Sequence, residues 1–109
     1  MIAVLRSPFR REPFTATDAD RLAHMLKVIA DPARLRIINA LAKEGPQRGS
    51  DLVAELGLSQ STIAHHLSVL ADAGMVVETN RAGREVWRGL DIDAVARLVV
   101  AVDPFGGRR

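Results

Sequence analysis

From Ser50 to Leu70 the chain reads "SDLVAELGLSQSTIAHHLSVL", two short helical patterns separated only by Gly57-Leu58-Ser59. A glycine ends the first helix, a serine caps the second, and three residues leave room for nothing but a tight corner. Helix, glycine turn, helix is the punctuation of a helix-turn-helix unit. The second helix has two unlike sides. Ile63, Leu67 and Leu70 recur at core spacing. Gln60, Ser61, Thr62, His65 and His66 are all hydrogen-bonding residues, none of them strongly charged.

The segments around this unit follow from the same local rules. Residues 1–16 carry Arg6, Arg10 and Arg11 with two prolines and no steady period, and read as a flexible basic arm. A helix is expected from near Thr17, where Thr-Asp-Ala-Asp offers a cap and acids for the positive helix end. Leu22, Met25, Leu26 and Ile29 give it an apolar stripe. Asp31 caps a second helix with Pro32 in its first turn, where a missing N–H costs nothing. Leu35, Ile38 and Leu41 are its expected inward face, and Gly45-Pro46 ends it. Ser50 is the expected cap of the third helix, and Gly74 the left-handed end of the fourth. "MVVETN" and "REVWRGL" are strand-like runs flanking "RAG", a hairpin with Arg81 and Arg84 near its tip. Asp91 caps a last helix bearing Val95, Leu98, Val99 and Val102, stopped by Pro104. The order α-α-α-α-β-β-α is mostly helical with one small hairpin, a winged helix-turn-helix. It occupies residues 17–103 as one domain, followed by a flexible tail, 104–109.

Composition narrows the function. The chain has 109 residues, a single domain, with 48% apolar and 26% charged residues. It has no cysteine, which removes thiolate nucleophiles, disulfides and thiolate metal sites together. Phe9, Phe14, Phe105 and Trp87 are too few and too scattered for a single-strand stacking platform. No apolar run approaches a bilayer span, so a soluble cytoplasmic protein without a membrane partner is expected.

A helix fits the major groove of B-DNA, whose base edges present donors and acceptors. Gln pairs bidentately with adenine, hydroxyls serve either role, and imidazole donates to guanine or phosphate. The first turn also offers free N–H groups to a phosphate. Ser59, Gln60, Ser61, Thr62, His65 and His66 are therefore the candidate DNA-binding residues of the helix, with Arg81 and Arg84 of the wing following the backbone or entering the minor groove. Bulk charge does not drive this contact. Between residues 48 and 90, Arg48, Arg81, Arg84 and Arg88 are outnumbered by Asp51, Glu55, Asp72, Glu78 and Glu85. Specific hydrogen bonds, helix dipoles, the basic arm and two-fold doubling in a dimer must carry affinity.

On "ADPARLRIINAL", "DLVAELGLSQSTIAHHLSVLADAGMV" and "NRAGREVWRGL" together, the chain resembles the ArsR/SmtB family of bacterial repressors from about Leu22 to Val102. The resemblance implies a homodimeric winged helix that binds operator DNA and releases it when an inducer, often a metal ion, binds. It places base readers on Gln60, Ser61 and His65; Ala64 departs from the serine frequent there. It also implies a dimer surface on the first and last helices, matching Leu22, Met25, Leu26, Val95, Leu98, Val99 and Val102. The family's Cys-x-Cys sensor does not carry over, because Arg48-Gly49-Ser50-Asp51 stands in its place and offers no soft ligands. The second family site, on the last helix, is represented by Asp91, Asp93 and Asp103 without a histidine. Three carboxylates can hold a hard divalent cation, yet Asp91 is more simply a helix cap. His24 reads as a surface or interface residue. No cofactor is required, and the inducer is unknown.

Two other functions compete at this level. A winged helix without specific DNA binding would serve as a protein–protein interaction module, as the near-neutral 48–90 segment allows. An enzyme using Ser, His and Asp would need a nucleophile elbow or oxyanion loop, and "SxxxHH" lies along one helix with neither.

Overall fold

The computed structural model describes residues 15–102, with side chains described through Leu98. Five helices are present: α1 (Ala16–Ile29), α2 (Pro32–Glu44), α3 (Gly49–Leu56), α4 (Gln60–Asp72) and α5 (Ile92–Val102). Three strands, β1 (Gln47–Arg48), β2 (Val76–Ala82) and β3 (Glu85–Leu90), form an antiparallel sheet in the order β1-β3-β2. The expected winged helix-turn-helix is thus present, with β1 added between α2 and α3. β1 pairs Gln47 with Arg88 and Arg48 with Trp87. Two residues carry no period of their own, so only the partner strand reveals them.

Helix α1 starts earlier than the Thr17 reading. Thr15 is its cap: the Asp18 N–H donates to Thr15 Oγ1 at 3.1 Å, and the Thr15 N–H donates to Asp18 at 2.9 Å. This reciprocal capping box uses the acid at the third helical position. Asp31 caps α2 as expected, accepting from the Arg34 N–H at 3.1 Å. The expected inward face of α2 is corrected in one residue. Ile37, Ala40 and Leu41 are buried, Ile38 is half-buried, and Leu35 is 50% exposed. Apolar residues lie on two sides of α2, and packing against α3 and α4 selects the side containing Ile37.

The cap of α3 is also corrected. Arg48, not Ser50, is the capping position, and the box closes through Asp51, whose carboxylate accepts the Arg48 N–H at 2.9 Å. Gly57 then leaves α3 at φ +70, a left-handed conformation in which a side chain would crowd its own carbonyl. Helix α4 ends in a full Schellman motif. The Gly74 N–H donates to Ala71 O and the Met75 N–H to Leu70 O, both at 2.9 Å. The buried side chains of Leu70 and Met75 supply the accompanying apolar contact.

The core lies where α4 meets α2, α3 and the start of β2. Ile37, Leu52, Ile63, Leu70, Met75 and Val76 are its largest fully buried side chains. Met25 and Ile29 of α1, and Val95 and Leu98 of α5, pack on its margin. Asp91 caps α5 as read from the sequence, accepting from the Ala94 N–H at 3.2 Å. The arm (1–14), the tail with Asp103 and Pro104, and the side chains of Val99 and Val102 lie outside the described residues.

Candidate nucleic-acid interface

The geometry of α4 is set from behind. Ile63, Leu67 and Leu70 are 1%, 3% and 0% exposed, so one side of the helix is sealed into the core. A second row, Thr62, His66, Val69 and Ala73, is half-buried along the flank. Gln60, Ser61, Ala64, His65 and Ser68 make up the exposed outer side. Ser61, His65 and Ser68 stand at i, i+4 and i+7 and line up along it. Ser68 is not among the candidates read from the sequence. Its spacing from Ser61 and His65 is the signal that points to it.

The first turn divides into cap and free surface. Ser59 Oγ accepts the Thr62 N–H at 3.1 Å and donates to Thr62 Oγ1 at 2.8 Å. Ser61 Oγ lies 3.2 Å from the same Ser59 oxygen. Ser59 and Thr62 are therefore occupied with one another in starting the helix. The side chains of Gln60 and His65 have no hydrogen-bond partner among the described residues. Their donors and acceptors face solvent on a helix fixed from the opposite side.

The two histidines separate. His65 is exposed, whereas His66 turns toward α2, its Nδ1 3.2 Å from Arg34 Nη1. Their rings are tilted at 56° with centroids 5.4 Å apart. His66 thus sits among intramolecular partners and not on the outer row with His65.

The wing is held by charge. Arg48 grips Asp51 through Nε at 3.0 Å and Nη2 at 2.8 Å, while its Nη1 reaches Glu85 on β3 at 2.8 Å. The guanidinium also lies 5.5 Å from the centre of the Trp87 ring. Side-chain hydrogen bonds from Arg48 bring the Asp51 carboxyl down to about 2. This clamp ties the start of α3 to the hairpin, and no local pattern around Arg48 foretells it. Arg81 donates to Glu78 through Nε at 3.2 Å and Nη2 at 2.8 Å, holding that carboxyl below the usual range. Register places Arg88 directly across from Glu78. Arg84, in the two-residue turn with Gly83, is exposed and makes no ion pair among the described residues.

The remaining sequence candidates are placed as follows. Leu22 and Met25 are half-buried and Leu26 is 40% exposed. Val95 and Leu98 are half-buried against the protomer's own core. Ile92, absent from the expected dimer surface, is 70% exposed at the start of α5. Asp91 is engaged as a cap and Asp93 is exposed. Among the described residues no group of three His, Cys, Asp or Glu side chains converges to hold a metal ion. None of the described helices is long and apolar enough to cross a membrane.

Known proteins share this arrangement. A family model described as "Bacterial regulatory protein, arsR family" matches residues 31–77, from the cap of α2 into β2. The chain is 37% identical over 87 residues to the HTH-type transcriptional regulator NmtR of Mycobacterium tuberculosis, spanning 80% of this chain and 71% of that protein. It is 37% identical over 84 residues to the biofilm growth-associated repressor of Agrobacterium fabrum, spanning 77% and 70%. Its fold matches the crystal structure of NolR from Sinorhizobium fredii with a TM-score of 0.68 at 28% identity, covering 82% of this chain and 90% of that one. With the helix-turn-helix, the wing and these relatives in agreement, the chain belongs to the ArsR family of bacterial regulatory proteins, transcriptional regulators and not enzymes.

Proposed function

We propose that the protein is a homodimeric, sequence-specific repressor that lays α4 of each protomer into successive major grooves of a two-fold operator. The observation that carries this reading is the outer side of α4. Gln60, Ser61, His65 and Ser68 are exposed on a helix whose opposite side is sealed in the core. Such a helix presents hydrogen-bonding groups at fixed positions, as base-edge readout requires. Gln60 and His65 read bases, Ser61 and Ser68 contact bases or phosphate, and Ser59 and Thr62 orient the first turn. Arg84 meets the phosphate backbone from the wing.

Two-fold doubling is needed because one helix without Lys or Arg offers few contacts to an anion. Leu26 and Ile92 leave apolar surface exposed on α1 and α5, two helices that pack together, and this surface is the proposed dimer contact. The site of action is the cytoplasm, where the operator is. Selection of bound duplexes from a random pool tests the reading. A palindrome with half-sites about one helical turn apart is expected. Retention of every duplex alike, with affinity set by salt alone, would leave only nonspecific binding. An interaction module would retain none.

A further inference from the structure

Pro32 opens α2 without an N–H, so the carbonyl of Val28, four residues earlier, loses the partner a continuing helix would supply. Val28 is buried, and an unpaired carbonyl there is costly. Arg34 supplies the missing donor through Nε, placing a cation at the negative end of α1. The same guanidinium has Nη1 4.0 Å from Asp31 Oδ2 and 3.2 Å from His66 Nδ1, and the side chain is only 15% exposed. One residue therefore joins the end of α1, the cap of α2 and the middle of α4.

This contact dictates the state of the ring. A guanidinium has five donors, no acceptor, and does not deprotonate in proteins. Nδ1 of His66 must accept, which places the proton of the neutral ring on Nε2. We propose that Arg34 is a positioning residue for operator recognition, seating α4 against the end of α1 through His66 Nδ1. The role of His66 is then to orient the helix that carries Gln60 and His65, not to read a base. This inference rests on the DNA-binding reading above.

Two measurements test it. Nitrogen NMR of the imidazoles in the free, full-length protein reads the tautomer directly. A proton on Nε2 of His66 is expected, turning into a tautomer mixture in Arg34→Met while His65 is unchanged; a mixed or Nδ1-protonated ring in the parent protein overturns the assignment. Operator titrations supply the second. Arg34→Met and His66→Phe are each expected to weaken specific binding about tenfold, with the double variant no weaker than the worse single one. His66→Asn, whose amide oxygen replaces Nδ1 as acceptor, is expected to bind within about twofold of the parent. Additive losses, no loss, or failure of the Asn variant to restore binding would each overturn the positioning role. A parent protein that selects no duplex would instead sink the DNA-binding reading, and the ring measurement would still decide the Arg34–His66 contact.

Discussion

The outer side of α4 and the wing are the two surfaces proposed to meet DNA, and they are built by opposite means. The exposed row Gln60, Ser61, His65 and Ser68 of α4 includes no Asp, Glu, Lys or Arg, and Gln60 and His65 have no hydrogen-bond partner among the described residues. On the wing the groups are charged, yet part of that charge is paired within the fold. Arg81 is bound to Glu78 and Arg48 to Asp51 and Glu85, while Arg84 at the exposed tip and the half-buried Arg88 make no ion pair among the described residues. Counting arginines treats all four alike. The difference teaches that a hydrogen-bonding surface has to be rigid and unoccupied, whereas a charged one can serve structure first and leave its exposed tip for the partner.

The largest expected effect comes from removing the rigidity of α4. Leu67 is 3% exposed between α4 and the core. Leu67→Ala is expected to cost ~2–5 kcal/mol in urea unfolding, a large part of the stability of a domain this size. Operator affinity should fall with it. If stability drops while operator affinity at low temperature is untouched, the helix does not depend on its seat for recognition.

Next in size is the proposed reading side itself. Gln60→Ala is expected to cost ~1–3 kcal/mol against the selected operator, to flatten the preference at one base pair in each half-site, and to leave thermal stability unchanged. Titration against every substitution at that position checks it. Equal discrimination by both proteins would show that Gln60 reads nothing.

The wing is expected to respond less, and through salt. Arg84→Ala should reduce the slope of log affinity on log salt by ~0.9 for each phosphate left without its cation. Arg81→Ala should change it less, because Glu78 already neutralises that arginine. Equal slopes for the two variants would mean that the ion pair within the wing opens when DNA binds.

What sequence can disclose follows from how local each feature is. The caps at Asp31, Ser59 and Asp91 and the buried row Ile63, Leu67 and Leu70 depend on spacing within one helix, and each is legible. The face of α2 is not fully so, because Leu35 and Ile37 both satisfy a helical period and only tertiary packing decides between them. Strand β1 and the bridge from Arg48 to Glu85 join residues far apart in the chain, and nothing near Arg48 announces them. His66 shows the subtler limit. One position separates it from His65, about a quarter turn of helix, and that rotation moves a side chain from the open side to the neighbourhood of Arg34.

The smallest expected effect isolates the structural use of charge in the wing. Asp51 receives the Arg48 backbone N–H and two guanidinium bonds, and its carboxyl is lowered from 3.8 to about 2. A carboxyl whose folded value is depressed stabilises the fold wherever the unfolded group is already ionised, above pH of about 4. That contribution is lost as pH falls through the folded value. Asp51→Asn is therefore expected to lower the melting temperature at pH 7 and to converge on the parent protein as pH approaches about 2. The site is partly exposed, so solvent screening keeps the difference near ~1 kcal/mol, cap included. The salt slope of operator binding should not move, since Arg48 stays engaged with Glu85 in the variant. A changed slope would show that Arg48, once loosened, reaches the phosphate backbone, and the wing's inward charge would then be a reserve for DNA and not a fixture of the fold.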